Sequence, residues 1–222
     1  MSGCFYRQIN IMQSVINKIL TPYTTLSRIF PPDVDLLSIK REIRAAVRHA
    51  LSGVMPAASP YLINICGLPA SGKTYICRAF KAANAGMLYI SFDAIMEDLP
   101  TYLSEHLQDR KKSFERWELP ARFVGYQLLK QAVKHRLPIL FEHSNATAHH
   151  IELYEKIKQA GYTVDIRYIN ADPELVLPRL EKRERYFPPE RTRERANILR
   201  DLMPVFEQTA TVFSVLPPWK ES

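Results

Sequence analysis

Apolar positions along the chain follow two rhythms. Met12, Val15, Ile16, Ile19 and Leu20 recur at the spacing of one helix face, and Pro22 closes that pattern. A second helix is predicted from Leu36, Ile39, Ile43, Val47, Ala50 and Leu51, with Pro31 and Pro32 before it, Asp33 as its cap and Gly53 as its stop. Its opposite face carries Lys40, Arg41, Arg44 and Arg48, read as a solvated face. Residues Ser52 to Pro60 have the Gly, Pro and Ala content of a linker. The chain is therefore divided into an N-terminal helical extension and linker, 1–58, and a larger domain, 59–222.

From Tyr61 onward short apolar runs alternate with longer amphipathic stretches, the signature of a mostly parallel sheet with crossover helices. Strands are predicted at Tyr61 to Cys66, Met87 to Ser91, Leu137 to Glu142, Thr163 to Ile169 and Val212 to Leu216. Helices are predicted at Gly72 to Asn84, Pro120 to His135, Ala148 to Ala160, Pro173 to Tyr186 and Pro189 to Glu207. The fold class is α/β.

The first of these strands runs into Gly67-Leu-Pro-Ala-Ser-Gly72-Lys73-Thr74, and a helical pattern follows. This GxxxxGK[ST] spacing, between a strand and a helix, is a phosphate loop. Its glycines let backbone N–H groups turn toward phosphate oxygens, Lys73 reaches the β- and γ-phosphates, and the Thr74 hydroxyl suits Mg²⁺. Gly67, Pro69, Ala70, Ser71, Gly72, Lys73 and Thr74 are thus the predicted ATP-binding residues, with Thr74 the metal ligand. Neither an NKxD-type guanine site nor a DxxG switch follows the loop, and about 150 residues remain after it, which fits a small kinase of three-layer P-loop architecture.

A phosphoryl transfer needs a base beside the loop, and Asp93 stands where the second strand ends. It can also cap the short helix that begins at Ala94. The third apolar run ends in Glu142-His143-Ser144-Asn145-Ala146-Thr147, a candidate Mg²⁺-water or substrate segment. His143 fits a substrate contact or a local hydrogen bond, while His149 and His150 lack companion ligands at metal spacing. Arg179, Arg183, Arg185, Arg191 and Arg195 lie on two predicted helices joined by Phe187-Pro188-Pro189, so two guanidinium faces can close over a transferring phosphate.

Composition refines this picture. Thirty Lys and Arg against 23 Asp and Glu give +7, and between Arg179 and Arg200 eight basic residues face four acids. More than half of the excess is therefore local, which points to a small multiply anionic ligand and away from a nucleic-acid track. No apolar run reaches the roughly 20 residues of a membrane span, and the three cysteines, Cys4, Cys66 and Cys77, have no metal or redox spacing. A reducing, cytoplasmic setting is expected.

With the loop, Asp93, the Glu142 segment and the arginine lid in this order, residues from about Tyr61 to Phe206 resemble the zeta toxin family of P-loop kinases. Gly67 to Thr74 is similar to its GxPGSGKT, Ile90-Ser-Phe-Asp93 to its strand-end aspartate, and Leu140 to Thr147 to its EGTxRT-type stretch. The resemblance implies ATP- and Mg²⁺-dependent phosphorylation of a nucleotide sugar such as UDP-N-acetylglucosamine. It implies Lys73 as phosphate ligand, Asp93 as general base and substrate contact, Glu142 and Thr147 in substrate binding, and two lid arginines, assigned first to Arg183 and Arg195. It also implies an antitoxin or regulatory partner, with the N-terminal helices either covering the nucleotide site or recruiting that partner. Ala70 stands where the family has glycine, His143 replaces another glycine, and Asn145-Ala146 lacks the family's arginine. Two other readings share the loop: a polynucleotide or aminoacyl-tRNA kinase, and a non-catalytic ATP-binding interaction module.

Overall fold

Residues 12–21, 29–183 and 186–219 are described in the computed structural model of the chain. Five strands, β1 (Tyr61–Gly67), β2 (Leu88–Ser91), β3 (Ile139–Glu142), β4 (Thr163–Ile169) and β5 (Val212–Leu216), form one sheet in the order β2-β3-β1-β4-β5. Every pairing is parallel, with Ile65 opposite Glu142 on one side of β1 and Gly67 opposite Ile169 on the other. Alternate residues of the central strands feed two apolar layers, Leu62 and Phe141 on one face, Ile63 and Leu140 on the other. Burial on both faces explains why these strands read as continuous apolar runs.

The described helices are α1 (12–20), α2 (Leu36–Leu51), α3 (Lys73–Ala83), α4 (Phe92–Glu97), α5 (Pro100–His106), α6 (Arg110–Lys134), α7 (His149–Gln159), α8 (Pro173–Glu181) and α9 (Glu190–Thr209). Cys77 on α3 packs in the second layer, while α6, α7 and α9 bury Trp117, Tyr154 and Phe206 in the first. Helices therefore cover both faces, as the α/β reading requires.

Three boundaries differ from the sequence reading. Asp35, not Asp33, caps α2 by accepting the Leu37 and Ser38 N–H groups at 3.0 and 3.2 Å. Asp33 instead pairs with Arg116 at 3.0 Å, and that hydrogen-bonded pairing holds its carboxyl below the usual range. Helix α6 does not start at Pro120. It begins ten residues earlier at Arg110, behind Asp109, which accepts the Lys112 N–H at 3.0 Å, and it runs through the proline. Proline removes one backbone bond, but the buried Phe114, Trp117 and Ala121 around it anchor the turn. Finally, α8 stops at Glu181 rather than Tyr186, and α5 has no counterpart in the sequence reading.

The N-terminal helices belong to the same core. Ile16, Leu20 and Ile39 pack in one cluster with Leu62 and Phe141, and Lys18 bonds Glu152 of α7 at 2.9 Å. Helix α2 lies against the edge strand β2 and α6, covering an edge that would otherwise be open to pairing.

Candidate active site

The phosphate loop connects β1 to α3, and its backbone is bent by left-handed residues: Gly67 at φ 140°, Ala70 at φ 58° and Gly72 at φ 100°. At Gly67 glycine is also required by space, since a Cβ would lie 2.7 Å from the Ile169 carbonyl oxygen. No side chain caps α3, so its first N–H groups, which lack intrahelical partners, are left to a ligand. Ser71 Oγ is buried without a hydrogen-bond partner among the described residues. Among the described residues, Lys73 Nζ donates to the Gly67 and Leu68 carbonyls of its own loop, at 3.1 and 2.6 Å. Burial, opposed by the nearby Glu142 carboxylate and reinforced by Arg183 and Arg195, pushes its ammonium down to about 8. Orphaned donors and a cation short of anionic partners are what a polyphosphate would satisfy.

Next to the loop, Thr74 Oγ1 donates to Glu142 Oε1 at 2.6 Å and the Tyr89 hydroxyl donates to Glu142 Oε2. The register that sets Glu142 opposite Ser91 places Glu142 near Tyr89, which shares β2 with Ser91, and the start of α3 brings Thr74 to it. Thr74 keeps its lone pairs free for a cation, and Glu142 offers a fixed carboxylate beside it, so the pair fits Mg²⁺ with its bound water. Burial and Glu142 push the Tyr89 phenol upward, so it is a donor throughout the working pH range.

Asp93 is in the first turn of α4, and Ser91 rather than Asp93 caps that helix, accepting the Ala94 N–H at 3.5 Å. The Phe92 ring is seated where a Cβ on Gly125 would stand 2.3 Å away, so close approach of α6 fixes the start of α4. Loop, Asp93, Glu142 and lid surround one cavity of about 350 Å³. Pro69, Ala70, Gly72, Lys73, Thr74, Asp93, Glu142, Arg179, Arg183 and Arg195 line it, as do Phe92, Phe114, Glu118, Arg122, His143, Ser144, Lys182, Phe187 and Trp219.

Arg183 leaves the chain just beyond α8, where burial lowers its pKa against the pull of Glu142 and Glu97. Arg195, on α9, lies over the Phe187 ring at 4.6 Å. Arg191 is exposed outside the cavity, and Arg185 lies outside the described residues. Thr147 is not brought to the cavity. Its carbonyl accepts the His150 N–H at 3.2 Å, in the turn that starts α7. The N-terminal helices do not cover the site either, since no described residue of 12–55 lines the cavity.

His143 is both a local bonding residue and a cavity wall. The Asn145 N–H donates to its Nδ1 at 3.0 Å, which places the proton of the neutral ring on Nε2. Burial first, then His150 and Arg122, keeps the ring neutral. Behind it Asn145, at φ 62°, donates to Asn64 Oδ1 at 2.6 Å and accepts the Tyr154 hydroxyl at 2.9 Å. That buried clamp turns the chain after β3. Cys66 and Cys77 are buried, and burial raises both thiols, Cys66 to about 12. Sequence reasoning passed over Tyr89, Arg122 and Trp219, whose only signals were an alternate position in β2, a charge in an apolar helix and an aromatic after two prolines.

The sequence pattern of the zeta toxin family matches residues 44–215, starting inside α2 and ending in β5. No curated protein matches the sequence. A chain of the PezAT chromosomal toxin–antitoxin system of Streptococcus pneumoniae superposes with a TM-score of 0.67 at 21% identity, covering 83% of this chain and 79% of its own. The complex of AvrRxo1-ORF1 and ORF2 with ATP gives 0.64 at 16% identity, covering 81% of this chain and 63% of that one. The chain belongs to the zeta toxin family and is an ATP-dependent kinase that uses Mg²⁺.

Proposed function

We propose that the chain transfers the γ-phosphoryl group of ATP to a hydroxyl of a small anionic metabolite, a nucleotide sugar such as UDP-N-acetylglucosamine. The observation that carries this reading is the convergence of Lys73, Asp93, Glu142, Arg183 and Arg195 on one cavity. In that scheme Asp93 takes the acceptor's proton as its oxygen bonds to the γ-phosphorus, and the bond from the γ-phosphorus to the bridging oxygen breaks, releasing ADP. Lys73 holds the β- and γ-phosphates, and the lid guanidiniums meet charge spread over the equatorial oxygens. Mg²⁺ held at Thr74, with Glu142 on its water, would offset charge between the β- and γ-phosphates. Lys182 adds positive charge to a wall that also carries the Arg122–Glu118 ion pair and the rings of Phe92, Phe114 and Phe187, which suits an acceptor with an anionic group and a planar or apolar part.

Cytoplasmic action fits a chain in which no described helix is long and apolar enough to cross a membrane. A protein partner that restrains activity is part of the same proposal, because the PezAT structure is of a toxin–antitoxin system and the AvrRxo1 structure is a two-protein complex. The test is transfer of label from γ-labelled ATP to nucleotide sugars, nucleosides and short RNAs, with Lys73→Ala and Asp93→Asn as controls. Label on a nucleotide sugar, lost in both variants, is the expected result. Label on RNA alone would move the chain to polynucleotide phosphorylation. ATP binding that needs Lys73 without transfer to any acceptor would favour the non-catalytic module.

A further inference from the structure

The sheet order gives the cavity two ends. Asp93 and Glu142 follow β2 and β3 on one side of the central strand β1, whereas the residues after β5 arrive from the opposite edge. There Pro217 and Pro218, stiff at φ, lead Trp219 onto the outside of the phosphate loop. The Trp219 N–H donates to the Ser71 carbonyl at 3.3 Å. Arg179 of α8 donates from Nη1 to the Trp219 carbonyl at 2.9 Å, so the strap ties loop to lid. The indole lines the cavity, its centroid 5.1 Å from the Tyr75 ring at an interplanar angle of 37° and 6.0 Å from the Arg179 guanidinium. It also lies hard against Gly72, where a Cβ would stand 2.3 Å from Trp219 Cβ.

A nucleoside triphosphate whose phosphates rest on the loop, with the γ-phosphate toward Asp93, must direct its base to this other end. What waits there is a flat aromatic face flanked by a second ring and a guanidinium, groups that stack on a nucleobase. We propose that Trp219, with Tyr75 and Arg179, forms the platform on which the donor's nucleobase stacks, which makes Trp219 a determinant of nucleotide selection. The proposal rests on the phosphate loop holding ATP as described above. Both polar contacts of Trp219 use its main chain, so Trp219→Ala keeps the strap's bonds and removes only the indole.

Calorimetric titration of the full chain with ATP and with tripolyphosphate, each with Mg²⁺, separates base from phosphate. Trp219→Ala weakens ATP about tenfold or more, on the order expected for one base stacked on an aromatic ring, and leaves tripolyphosphate within about twofold. Trp219→Phe retains a ring and stays within about threefold of the parent for ATP. In Trp117→Phe, where Trp219 is the sole indole, ATP changes the emission and tripolyphosphate does not. Lys73→Ala weakens both ligands, and a parent chain that binds neither would overturn the donor reading together with this one. Trp219→Ala binding ATP as tightly as the parent or tighter would overturn the platform and leave the donor reading standing; losing ATP and tripolyphosphate equally would overturn it too, making Trp219 a support of the phosphate loop.

Discussion

The two walls of the cavity are made by different means. On the sheet side, Thr74 at the start of α3 and Glu142 at the end of β3 line the cavity and bond each other, and Tyr89 of β2, outside the lining, donates to the other Glu142 oxygen. On the lid side, Arg179 on α8, Arg183 just beyond it and Arg195 on α9 reach in on long side chains. A wall fixed by backbone register presents its groups before a ligand arrives, while a wall of arginines gathers charge around one. The proposed function accordingly puts the metal and the base on the register-held wall and transition-state charge on the arginine wall.

The lid should give the largest effect. Arg183→Ala is expected to lower kcat about a thousandfold, the low end of what a phosphate-stabilising arginine supplies, with ATP affinity changed only a few-fold. Single-turnover rates beside calorimetric ATP binding check this. Equal losses in binding and turnover would make the lid an ordinary binding surface and end the division of labour.

On the rigid wall, Asp93→Asn is expected to lower kcat about 10²- to 10³-fold while ATP and tripolyphosphate bind as before. Its pH profile should lose the acidic limb that the parent shows. An unchanged limb would mean that another group takes the proton.

The sequence names the strand-end residues and the lid arginines Arg179, Arg183 and Arg195, all of which line the cavity, but it reaches them by different routes. Gly67 to Thr74, Asp93 and Glu142 each follow an apolar run that cannot be anything but a buried strand, so topology delivers them to one edge. The spacing of Arg179 and Arg183 predicts one helix running to Tyr186, but α8 ends at Glu181, so Arg183 leaves from a non-helical position. Helical spacing therefore did not decide which arginine enters. Trp219 had no periodic context, and Pro120, read as a helix start, hid the Phe114 and Glu118 wall because tertiary burial outweighed the proline's missing bond. Thr147 was carried by resemblance alone and has only a turn to support.

Tyr89→Phe sharpens the comparison more gently. It removes one of the two hydroxyls donating to Glu142 and keeps the ring. The Mg²⁺ concentration needed for half-maximal nucleotide binding is expected to rise about tenfold, as it does when a metal ligand's outer hydrogen bond is lost. Binding in EDTA should not change. A loss that is the same with and without Mg²⁺ would make Tyr89 a packing residue only.

Lys73 supplies the pH test. Burial lowers its pKa from 10.5 to about 8, so between those values the unfolded chain binds more protons than the folded one. Stability of the ligand-free chain should therefore rise from pH 8 toward 10.5 as the buried ammonium is discharged, while ATP affinity falls over the same range. Lys73→Met should remove that rise, and the difference between the two chains' melting curves isolates it from every other titrating group. A difference curve that is flat across this window would show that the folded lysine keeps its ordinary pKa.

Ala70 should give the smallest effect, and one of opposite sign. Its φ of 58° is left-handed, in a loop where the family carries glycine at this place. A Cβ in that conformation costs roughly 1–2 kcal/mol, and replacing it by glycine returns about 0.4–1 kcal/mol through the freer unfolded chain. Ala70→Gly should therefore stabilise the protein by about 0.5–1 kcal/mol, a rise in Tm of about 1–4 °C for a domain of this size. Tripolyphosphate should dissociate slightly faster, because the alanine restricts a loop that must already be bent when phosphate arrives. A fall in Tm would mean that the Ala70 methyl gains more from packing against its neighbours than it loses to strain, and the loop would then be held in shape by contact rather than by backbone geometry.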